Sequence, residues 1–592
     1  MSQPDAVELR GSVKAERRFG PRLLDAVAIF SWFVLYGGTL VPDVNEAHYM
    51  TKAKHFWDPS YCAGDPFLES ADAHWLFFLT FGLPTTFLPL PLATWIGRIV
   101  CWAILAVGWS AIARGITRLP LAGGLSAPLL LAGLHWGHLA GEWVIGGCES
   151  KCVAYGLCFL SLAAAMRGRW LAAIVVGSVA LGFHVVVTGW VALAVAIALA
   201  VRGWVPTRLG GGGPTLRDML VDLNAYRKQS PGRFASAVVF VAGMIFVGVG
   251  PAIALTASTP PEVAAEAAEI YVYKRLPHHL TVGGFSATRW FEHLRWLFAV
   301  GVLAMACRLI VRYARTSPLH KSDRTAGDWR LLMFACLAAV VFVAAAAVFD
   351  ATVSGYSKAT AAKLLRYYWF RWNDVAWAIL PCIAVLRACD ALHGAGELQP
   401  SRKKRAVALP GRRGLLVGCL VLLTVPGGWL CYSRVQETLD RRVPPGFATA
   451  IRDRGLSDER MREIYLHWLD VCTWVRENTP PGSVVLTPRQ QQTFNWYAHR
   501  AELVNWKNVP QNAADLVRWY NAVQDIYGEQ GLNSEAIASL ELLVSLRGRH
   551  DFDYVLLDRR LHLEPPLLPI LYQNPDYALF EMPALREEKS AE

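Results

Sequence analysis

Eleven apolar stretches, each close to the length that crosses a lipid bilayer, divide the first 432 residues of this chain. A membrane-spanning helix needs roughly 17 to 25 mainly apolar residues. The stretches lie at about 22–41, 94–113, 121–141, 152–167, 170–185, 186–201, 235–256, 294–311, 331–349, 374–390 and 414–432. The sequence therefore predicts a mainly α-helical, polytopic membrane protein with about eleven transmembrane helices.

The composition supports this class and argues against a nucleic-acid-binding protein. Hydrophobic residues make up 54% of the chain and charged residues 18%, whereas an ordinary soluble domain has about 25% charged residues. The net charge is +11, but the basic residues fall in short clusters between apolar stretches, as the positive-inside rule describes. The expected partner is therefore membrane lipid, with no nucleic acid.

One apolar stretch, Trp75 to Trp95, is not counted as a span. Its prolines Pro84, Pro89 and Pro91 disfavour a plain lipid-facing helix. If this stretch lies on the outer membrane surface or dips into it without crossing, the basic clusters of the N-terminus (1–21) and of the later loops all fall on one side of the membrane. This predicts a protein with its N-terminus in the cytoplasm and its C-terminal region outside.

The same orientation places a set of ionisable residues together at the outer ends of the helices. Residues of this kind at membrane boundaries are costly to bury and are often functional. The candidates are Asp43, Glu46, His48, Glu149, Lys151, His184, Lys274, Arg275, His278, His279, Arg366, Arg371 and Asp374.

Each candidate also has a purely structural interpretation. Asp43 and Glu46 are either a catalytic pair or the solvated rim of a span. Arg366 and Arg371 suit an anionic partner, because guanidinium binds phosphate in a bidentate manner, or they anchor an aromatic belt. The adjacent pair His278 and His279 lacks the spacing of a helical zinc site. Whether a divalent metal ion takes part stays open.

Residues 433–592 differ in character, because no further stretch of spanning length follows. Short apolar strands are predicted at "SVVLTP", "AELVNW", "DFDYVLLD" and "YALFEMP", with helices between them, one of them over 534–547. This alternation predicts a small extracytoplasmic α/β domain with a largely parallel sheet. No phosphate-binding loop or nucleophile motif occurs in it.

The layout resembles the GT-C superfamily of integral-membrane glycosyltransferases. It combines an inside N-terminus (1–21), a membrane domain (22–432), an acidic start to the outer loop 42–93 and a C-terminal outer domain (433–592). The phrases "ESKCVAYGL", "RLPHHL", "LLRYYWFR" and "TPRQQQTFNWYAHRAELVNWKNVP" are similar to an uncharacterised bacterial membrane-protein family with this organisation. The chain departs from the adjacent acidic pair of protein O-mannosyltransferases and lacks the WWDYG signature of oligosaccharyltransferases.

The resemblance implies a polyprenyl-phosphate sugar donor, an acceptor of unknown identity, and Asp43 or Glu46 as base or metal ligand. The cationic residues would then hold the lipid phosphate as the sugar leaves. Two alternatives stay open: a transporter or flippase for an anionic lipid or polymer, and a non-catalytic membrane scaffold. No internal repeat of the kind common in transporters is evident in the sequence.

Overall fold

The computed structural model describes residues 5–205, 213–315, 327–394, 411–451, 455–529, 531–532, 538–562 and 564–583. The predicted basic segment at 401–414 lies outside these residues except for its last four positions, and so does the start of the predicted helix 534–547. The chain forms a large helical bundle followed by a small α/β domain. The predicted fold class is confirmed.

The bundle begins with three helices around the first long loop, which spans residues 38–89. These are α1 (Asp5–Gly37), α2 (Glu46–Trp57) and α3 (Trp75–Phe81). The following helices are α4 (Leu90–Ile116), α5 (Ala122–Trp136), α6 (Ser150–Ala165), α7 (Trp170–Phe183), α8 (Val185–Arg202), α9 (Leu216–Gln229), α10 (Pro231–Ala257), α11 (Pro261–Glu269), α12 (Pro277–Leu280), α13 (Ala287–Arg315), α14 (Trp329–Val348), α15 (Ser354–Tyr356), α16 (Lys358–Leu365), α17 (Arg371–Gly394) and α18 (Arg412–Arg441).

Each of the eleven predicted spans lies largely within one of these helices. Seven of the helices in the described residues are long and apolar enough to cross a membrane by length and composition: α4, α8, α10, α13, α14 with the turn after it, α17 and α18. α6 and α7 are shorter apolar helices. The chain is therefore an integral membrane protein, and the number of eleven spans stays a prediction.

The stretch from Trp75 to Trp95 does not form a continuous helix. It divides into α3, which has seven residues, a 3₁₀ turn at Leu83–Thr86, and the start of α4. At about 1.5 Å per residue, seven residues cannot cross a hydrocarbon core of about 30 Å. α3 is therefore too short to be a span, and the placement of the whole stretch at the membrane surface stays a prediction.

The C-terminal domain contains the remaining elements. Its helices are α19 (Pro445–Ala448), α20 (Asp458–Asn478), α21 (Phe494–Ala498), α22 (Ala513–Tyr527) and α23 (Leu540–Arg547), and its strands are β1 (Val484–Leu486), β2 (Ala501–Glu502), β3 (Tyr554–Asp558), β4 (Ile570–Gln573) and β5 (Tyr577–Glu581). All four predicted strands are present. Two apolar clusters pack around the sheet, one centred on Trp468 and one on Phe580.

The sheet is mixed rather than largely parallel, with strand order β2-β1-β3-β5-β4. β1 pairs in parallel with β2 and β3, whereas β5 pairs antiparallel with β3 and β4. The sequence prediction missed β4. A short connection between β4 and β5 permits only an antiparallel pair, because a parallel crossover needs a dozen or more residues.

The C-terminal domain docks on the first long loop through buried polar contacts. Asp65 Oδ2 accepts hydrogen bonds from Asn495 Nδ2 at 2.7 Å and from the amide of Glu502 at 2.9 Å. The Tyr61 hydroxyl donates to the carbonyl of Asn495 at 2.5 Å. Buried hydrogen bonds of this kind are costly to leave unmade, so they fix the domain against the loop.

Candidate functional site

The candidate residues gather at one end of the helical bundle, called here the site end. α1 and α7 finish at this end, and α4, α6, α8 and α17 begin there. The opposite end carries other ion pairs, such as Arg202 with Asp328 at 2.5 Å and Arg387 with Asp390 at 2.7 Å. The sequence grouping of outer-end residues is thus a spatial grouping at one end of the bundle.

Glu46 is a fully buried structural anchor. Arg98 donates to it through Nε and Nη2, both at 2.6 Å, and both side chains have no exposed surface. The amides of Cys148 and Asp43 donate to the same carboxylate at 2.5 and 2.7 Å. Since both oxygens already accept two bonds each, Glu46 has no capacity left for a substrate proton.

The backbone of the "GG" pair before Cys148 makes this anchor possible. A Cβ at Gly147 would lie 2.5 Å from Cγ of Glu46, a distance that side chains do not tolerate. Glycine therefore lets the loop between α5 and α6 approach the carboxylate closely enough to donate its amide. The result is a junction of α2, α4 and two loops at one carboxylate.

Asp43 lies beside this anchor but keeps an oxygen available. Its Oδ1 accepts a hydrogen bond from the amide of Val44 at 2.6 Å, while no described residue donates to Oδ2. Asp43 also lines a cavity of about 230 Å³ together with Trp143, Arg434 and Arg441. Burial and the nearby charge of Glu46 raise the pKa of Asp43. A raised pKa makes a carboxylate a stronger general base.

Glu149 and Lys151 form a second ion pair at the start of α6. Lys151 Nζ lies 3.3 Å from Glu149 Oε2. Asn45 Nδ2 donates to both carboxylate oxygens of Glu149 at 3.2 Å. Asn45 follows Asp43 in the first long loop by two positions, so this pair lies next to Asp43.

Arg371 forms a third pair, with Glu142, at an Nε to Oε2 distance of 3.0 Å. Its Nη1 lies 3.2 Å from Nε2 of His184, and its guanidinium lies over the Tyr368 ring at 4.1 Å. The neighbouring Asp374 is also buried, and it accepts from the amides of Leu139, Ala140 and Glu142 at 2.7, 3.0 and 3.1 Å. Asp374 therefore holds the loop that carries Glu142.

Four of the predicted residues lie outside the buried cluster or at its edge. Lys274, His278 and Arg366 are exposed. His279 is half-buried, and its Nδ1 is hydrogen-bonded to the carbonyl of Ala140. The structure therefore does not bring Lys274 or Arg366 into contact with Asp43. Lys274 precedes the buried Arg275 in the chain, and Arg366 lies in the short loop that leads to Arg371.

Arg275 is the basic residue of its loop that points inward, and the C-terminal domain meets it there. Arg275 is 9% exposed, and its Nε donates to the carbonyl of Trp506 at 3.1 Å. Its guanidinium also lies over the Trp506 ring, 5.1 Å from the centroid. No carboxylate pairs with Arg275 among the described residues.

Lys507 follows Trp506 and completes the cluster. Burial, with the positive charge of Arg275 as the largest charge effect, lowers the pKa of Lys507 to about 8. Glu149, Lys151 and Asp43 also act on this pKa, and the residue before Lys507, Trp506, contacts Arg275. Within the described ranges its Nζ makes no hydrogen bond or ion pair. The sequence prediction did not include Lys507 in the site, because in "RAELVNWKNVP" the residues Arg500, Trp506 and Lys507 suit packing as well as binding.

The charges at the site end do not cancel locally. Three carboxylates, Glu46, Glu142 and Glu149, each pair with one cation: Arg98, Arg371 and Lys151. Asp374 is held by backbone amides alone, and among the described residues of the cluster Asp43, Arg275 and Lys507 form no ion pair. An unpaired buried cation is expensive unless a partner anion binds it. This arrangement provides one available carboxylate and two cations for an anionic ligand.

Two histidines line the same region. Nδ1 of His48 is buried without a partner in the described structure, and burial with the charge of Lys507 lowers the pKa of His48 well below its usual value. His74, which the sequence prediction did not include, lies 3.3 Å from the Tyr49 hydroxyl through Nε2. Burial lowers the pKa of His74 to about 4. Both rings are neutral at pH 7, and His48 keeps Nδ1 for one hydrogen bond to a ligand.

A divalent metal ion has no evident ligand set here. Among the described residues, no group of three or more histidine, cysteine, aspartate or glutamate side chains is arranged to hold a metal ion. The carboxylates nearest to Asp43 already pair with cations.

Comparisons with known proteins gave a family match and several similar solved structures. A domain of unknown function, DUF6798, matches residues 467–526, a segment that includes Lys507. No curated protein matches significantly. The chain is similar to the crystal structure of ArnT from Cupriavidus metallidurans bound to undecaprenyl phosphate, with TM-score 0.47 and 12% identity over 95% of this chain and 98% of that chain. It is also similar to the oligosaccharyltransferase from Archaeoglobus fulgidus in complex with zinc and sulfate, with TM-score 0.42 and 13% identity over 92% of this chain and 68% of that chain.

Proposed function

We propose that this chain is an integral-membrane glycosyltransferase that takes a sugar from a polyprenyl-phosphate carrier and transfers it to an acceptor on the outer face. One observation carries the proposal: among the described residues, Asp43, Arg275 and Lys507 form no ion pair at the site end of an apolar bundle. A carboxylate with a free oxygen supports a base, and two unpaired cations support a phosphate site.

The reaction assigns a role to each of the three residues. Asp43 Oδ2 takes the proton of an acceptor hydroxyl, and the oxygen forms a bond to the anomeric carbon of the sugar. The bond between that carbon and the phosphate oxygen breaks, and the polyprenyl phosphate leaves with the electron pair. Arg275 and Lys507 stabilise the charge that grows on the phosphate. Glu46 acts only as the support that holds Asp43.

The orientation rests on charge. The described end of the bundle opposite the site carries Arg114, Arg167, Arg202 and Arg387, and basic residues are enriched on the cytoplasmic side of membrane proteins. The site end is then extracytoplasmic. The carrier's isoprenoid tail would lie against apolar helices such as α10, most of whose surface is not covered by protein.

Binding of the lipid phosphate should depend on Lys507 and Arg275. A charge-assisted hydrogen bond is worth about 1.5–3 kcal/mol, or roughly tenfold or more in affinity. We therefore expect Lys507→Gln and Arg275→Gln each to weaken binding of undecaprenyl phosphate by at least about tenfold. The measurement is a lipid titration of the full chain in nanodiscs.

The chain offers matched controls for this experiment. Lys274 precedes Arg275 but is exposed, and Arg366 is also exposed. Lys274→Gln and Arg366→Gln should change the affinity by less than about twofold. If Lys507→Gln binds the lipid as tightly as the unmodified chain, or if Lys274→Gln weakens binding equally, the phosphate site is wrong.

The same binding should fall as the pH rises. Lys507 has a pKa of about 8 in the ligand-free protein, so it loses its charge between about pH 7 and pH 9. A bound phosphate favours the protonated lysine, and the affinity therefore drops across this range. Titrations at several pH values should show the drop in the unmodified chain and not in Lys507→Gln. Lys507→Arg should keep its affinity at pH 9, because guanidinium stays charged, and a drop of the same size in all three proteins contradicts the assignment.

A further inference from the structure

A second and larger cavity lies between the first long loop and the C-terminal domain. Its volume is about 820 Å³, within the range of sites for small molecules. Its lining includes Phe67, Glu69, Asn508, Asp515, Trp519 and Asp525. The loop wall is fixed because Lys52 Nζ donates to the carbonyls of Phe67 and Ser70, both at 2.8 Å.

The side chain of Asn508 lies in this wall with only one of its two polar atoms hydrogen-bonded among the described residues. Its side chain is 4% exposed, and its Nδ2 donates to Glu502 Oε2 at 3.4 Å. Its Oδ1 is buried without a hydrogen bond in the described structure. A buried acceptor left unsatisfied is costly, so the position is suited to a ligand that brings a donor.

The carboxylates around the cavity are also only partly used. Glu69 Oε1 accepts from the amide of Gly64 at 2.6 Å, and Asp525 Oδ2 accepts from Arg549 and His550 at 2.9 and 2.7 Å. Asp515 Oδ1 is paired with Arg518. The second oxygen of each of these three carboxylates receives no hydrogen bond from a described residue. The cavity therefore presents several free acceptors.

The charge of the lining disfavours an anion. Arg518 and Arg549 neutralise Asp515 and Asp525, and burial raises the pKa of Glu502 to about 8, so that Glu502 is largely protonated at pH 7. Asp65 and Glu69 then leave the cavity with a net negative charge. Phe67 and Trp519 add apolar walls. A ligand that carries hydroxyl donors on a ring with apolar faces fits these acceptor oxygens and aromatic walls.

We infer that this cavity binds an uncharged carbohydrate. Sugar hydroxyls donate to Asn508 Oδ1 and to the free carboxylate oxygens, while the C–H faces of the sugar pack on the aromatic walls. The cavity lies near the Asp43 cluster, and Asn508 in its wall directly follows Lys507 in the chain. The Phe67 ring lies 6.2 Å from that of His48. The further role as the acceptor site rests on the proposed function, whereas the binding of carbohydrate does not.

The test is binding of uncharged oligosaccharides to the full chain in nanodiscs. An array of neutral, anionic and amine-bearing glycans is screened first, and the tightest neutral binder is then titrated. Asn508→Ala removes the orphaned acceptor. Ala522→Phe fills the cavity from α22 without touching a polar group, and Gln524→Phe places the same ring on the exposed face of that helix. We expect the first two variants to bind at least about tenfold more weakly and Gln524→Phe to bind unchanged.

Several outcomes would overturn the inference. They are the absence of any neutral binder on the array, a preference for anionic glycans, and neutral binding that Ala522→Phe leaves intact. The proposed transfer reaction fails independently of these, since it is judged by Asp43→Asn. Neutral binding that depends on Asn508 and Ala522 therefore supports the cavity even if no sugar transfer is found.

Discussion

Replacing Asp43 with asparagine is expected to lower the rate of sugar transfer by about 10²- to 10⁴-fold, the usual contribution of a general base. Asparagine keeps the acceptor oxygen that receives the amide of Val44, so the loop should retain its shape, but it cannot take a proton. The measurement is transfer of labelled sugar from polyprenyl-phosphate-linked donors to a membrane extract, with undecaprenyl phosphate binding determined in parallel. Binding should stay within about twofold of the unmodified chain.

The control is the second acidic residue of the same loop. Glu46→Gln breaks the pairing with Arg98, and it should lower the amount of folded protein as well as the activity. Asp43→Glu should retain part of the activity, because the carboxylate is still present. If Asp43→Asn transfers sugar at the full rate, Asp43 is not the base. If no donor supports transfer while the reconstituted chain moves polyprenyl phosphate between leaflets, the flippase interpretation replaces the enzyme.

Replacing Arg98 with alanine is expected to destabilise the folded protein by about 3–5 kcal/mol, the typical cost of breaking a buried ion pair. The loss leaves Glu46 charged with no exposed surface and also removes the donor to the carbonyl of Thr39, which Arg98 reaches at 2.5 Å. Thermal unfolding in detergent should show a clear decrease in Tm. The effect should reach Asp43, since the amide of Asp43 is bonded to the same carboxylate.

Two variants make this prediction specific. Lys274→Ala removes an exposed cation and should change stability by no more than about 0.5 kcal/mol. The double variant Glu46→Leu with Arg98→Leu removes both charges and should recover part of the loss, because an apolar pair of similar size often substitutes for a buried ion pair. An Arg98→Ala protein as stable as Lys274→Ala would show that the pair does not hold the junction.

Much of the fold follows from local sequence. Each apolar stretch specifies its own helix, because length and hydropathy are local properties. The prolines in the stretch after Trp75 likewise indicated an interruption, and the α-helix is interrupted between Phe81 and Leu90. The grouping of Glu149, His184 and Arg371 at one end also followed from the sequence, since it needs only the alternation of helix directions.

The separate roles of Asp43 and Glu46 could not be read from the sequence. Both precede or begin α2, and only the partners distinguish them: Arg98 lies on α4 and the amide of Cys148 in a distant loop. The position of Lys507 was still harder to predict, because nothing near it in the chain indicates that its segment meets Arg275. Strand β4 was missed because its residues "ILYQ" follow prolines and are largely exposed, so their pattern does not resemble a buried strand.

The turn at 505–508 also has a consequence for how the protein is made. The membrane helices up to α18 precede the C-terminal domain in the chain and are therefore synthesised first, together with Asp43 and Arg275. Lys507 arrives only after α18 has been inserted and the C-terminal domain has settled on Asp65 and Tyr61. A nascent chain therefore has Arg275 in place for the carrier phosphate before it has Lys507, which joins only when the C-terminal domain has folded.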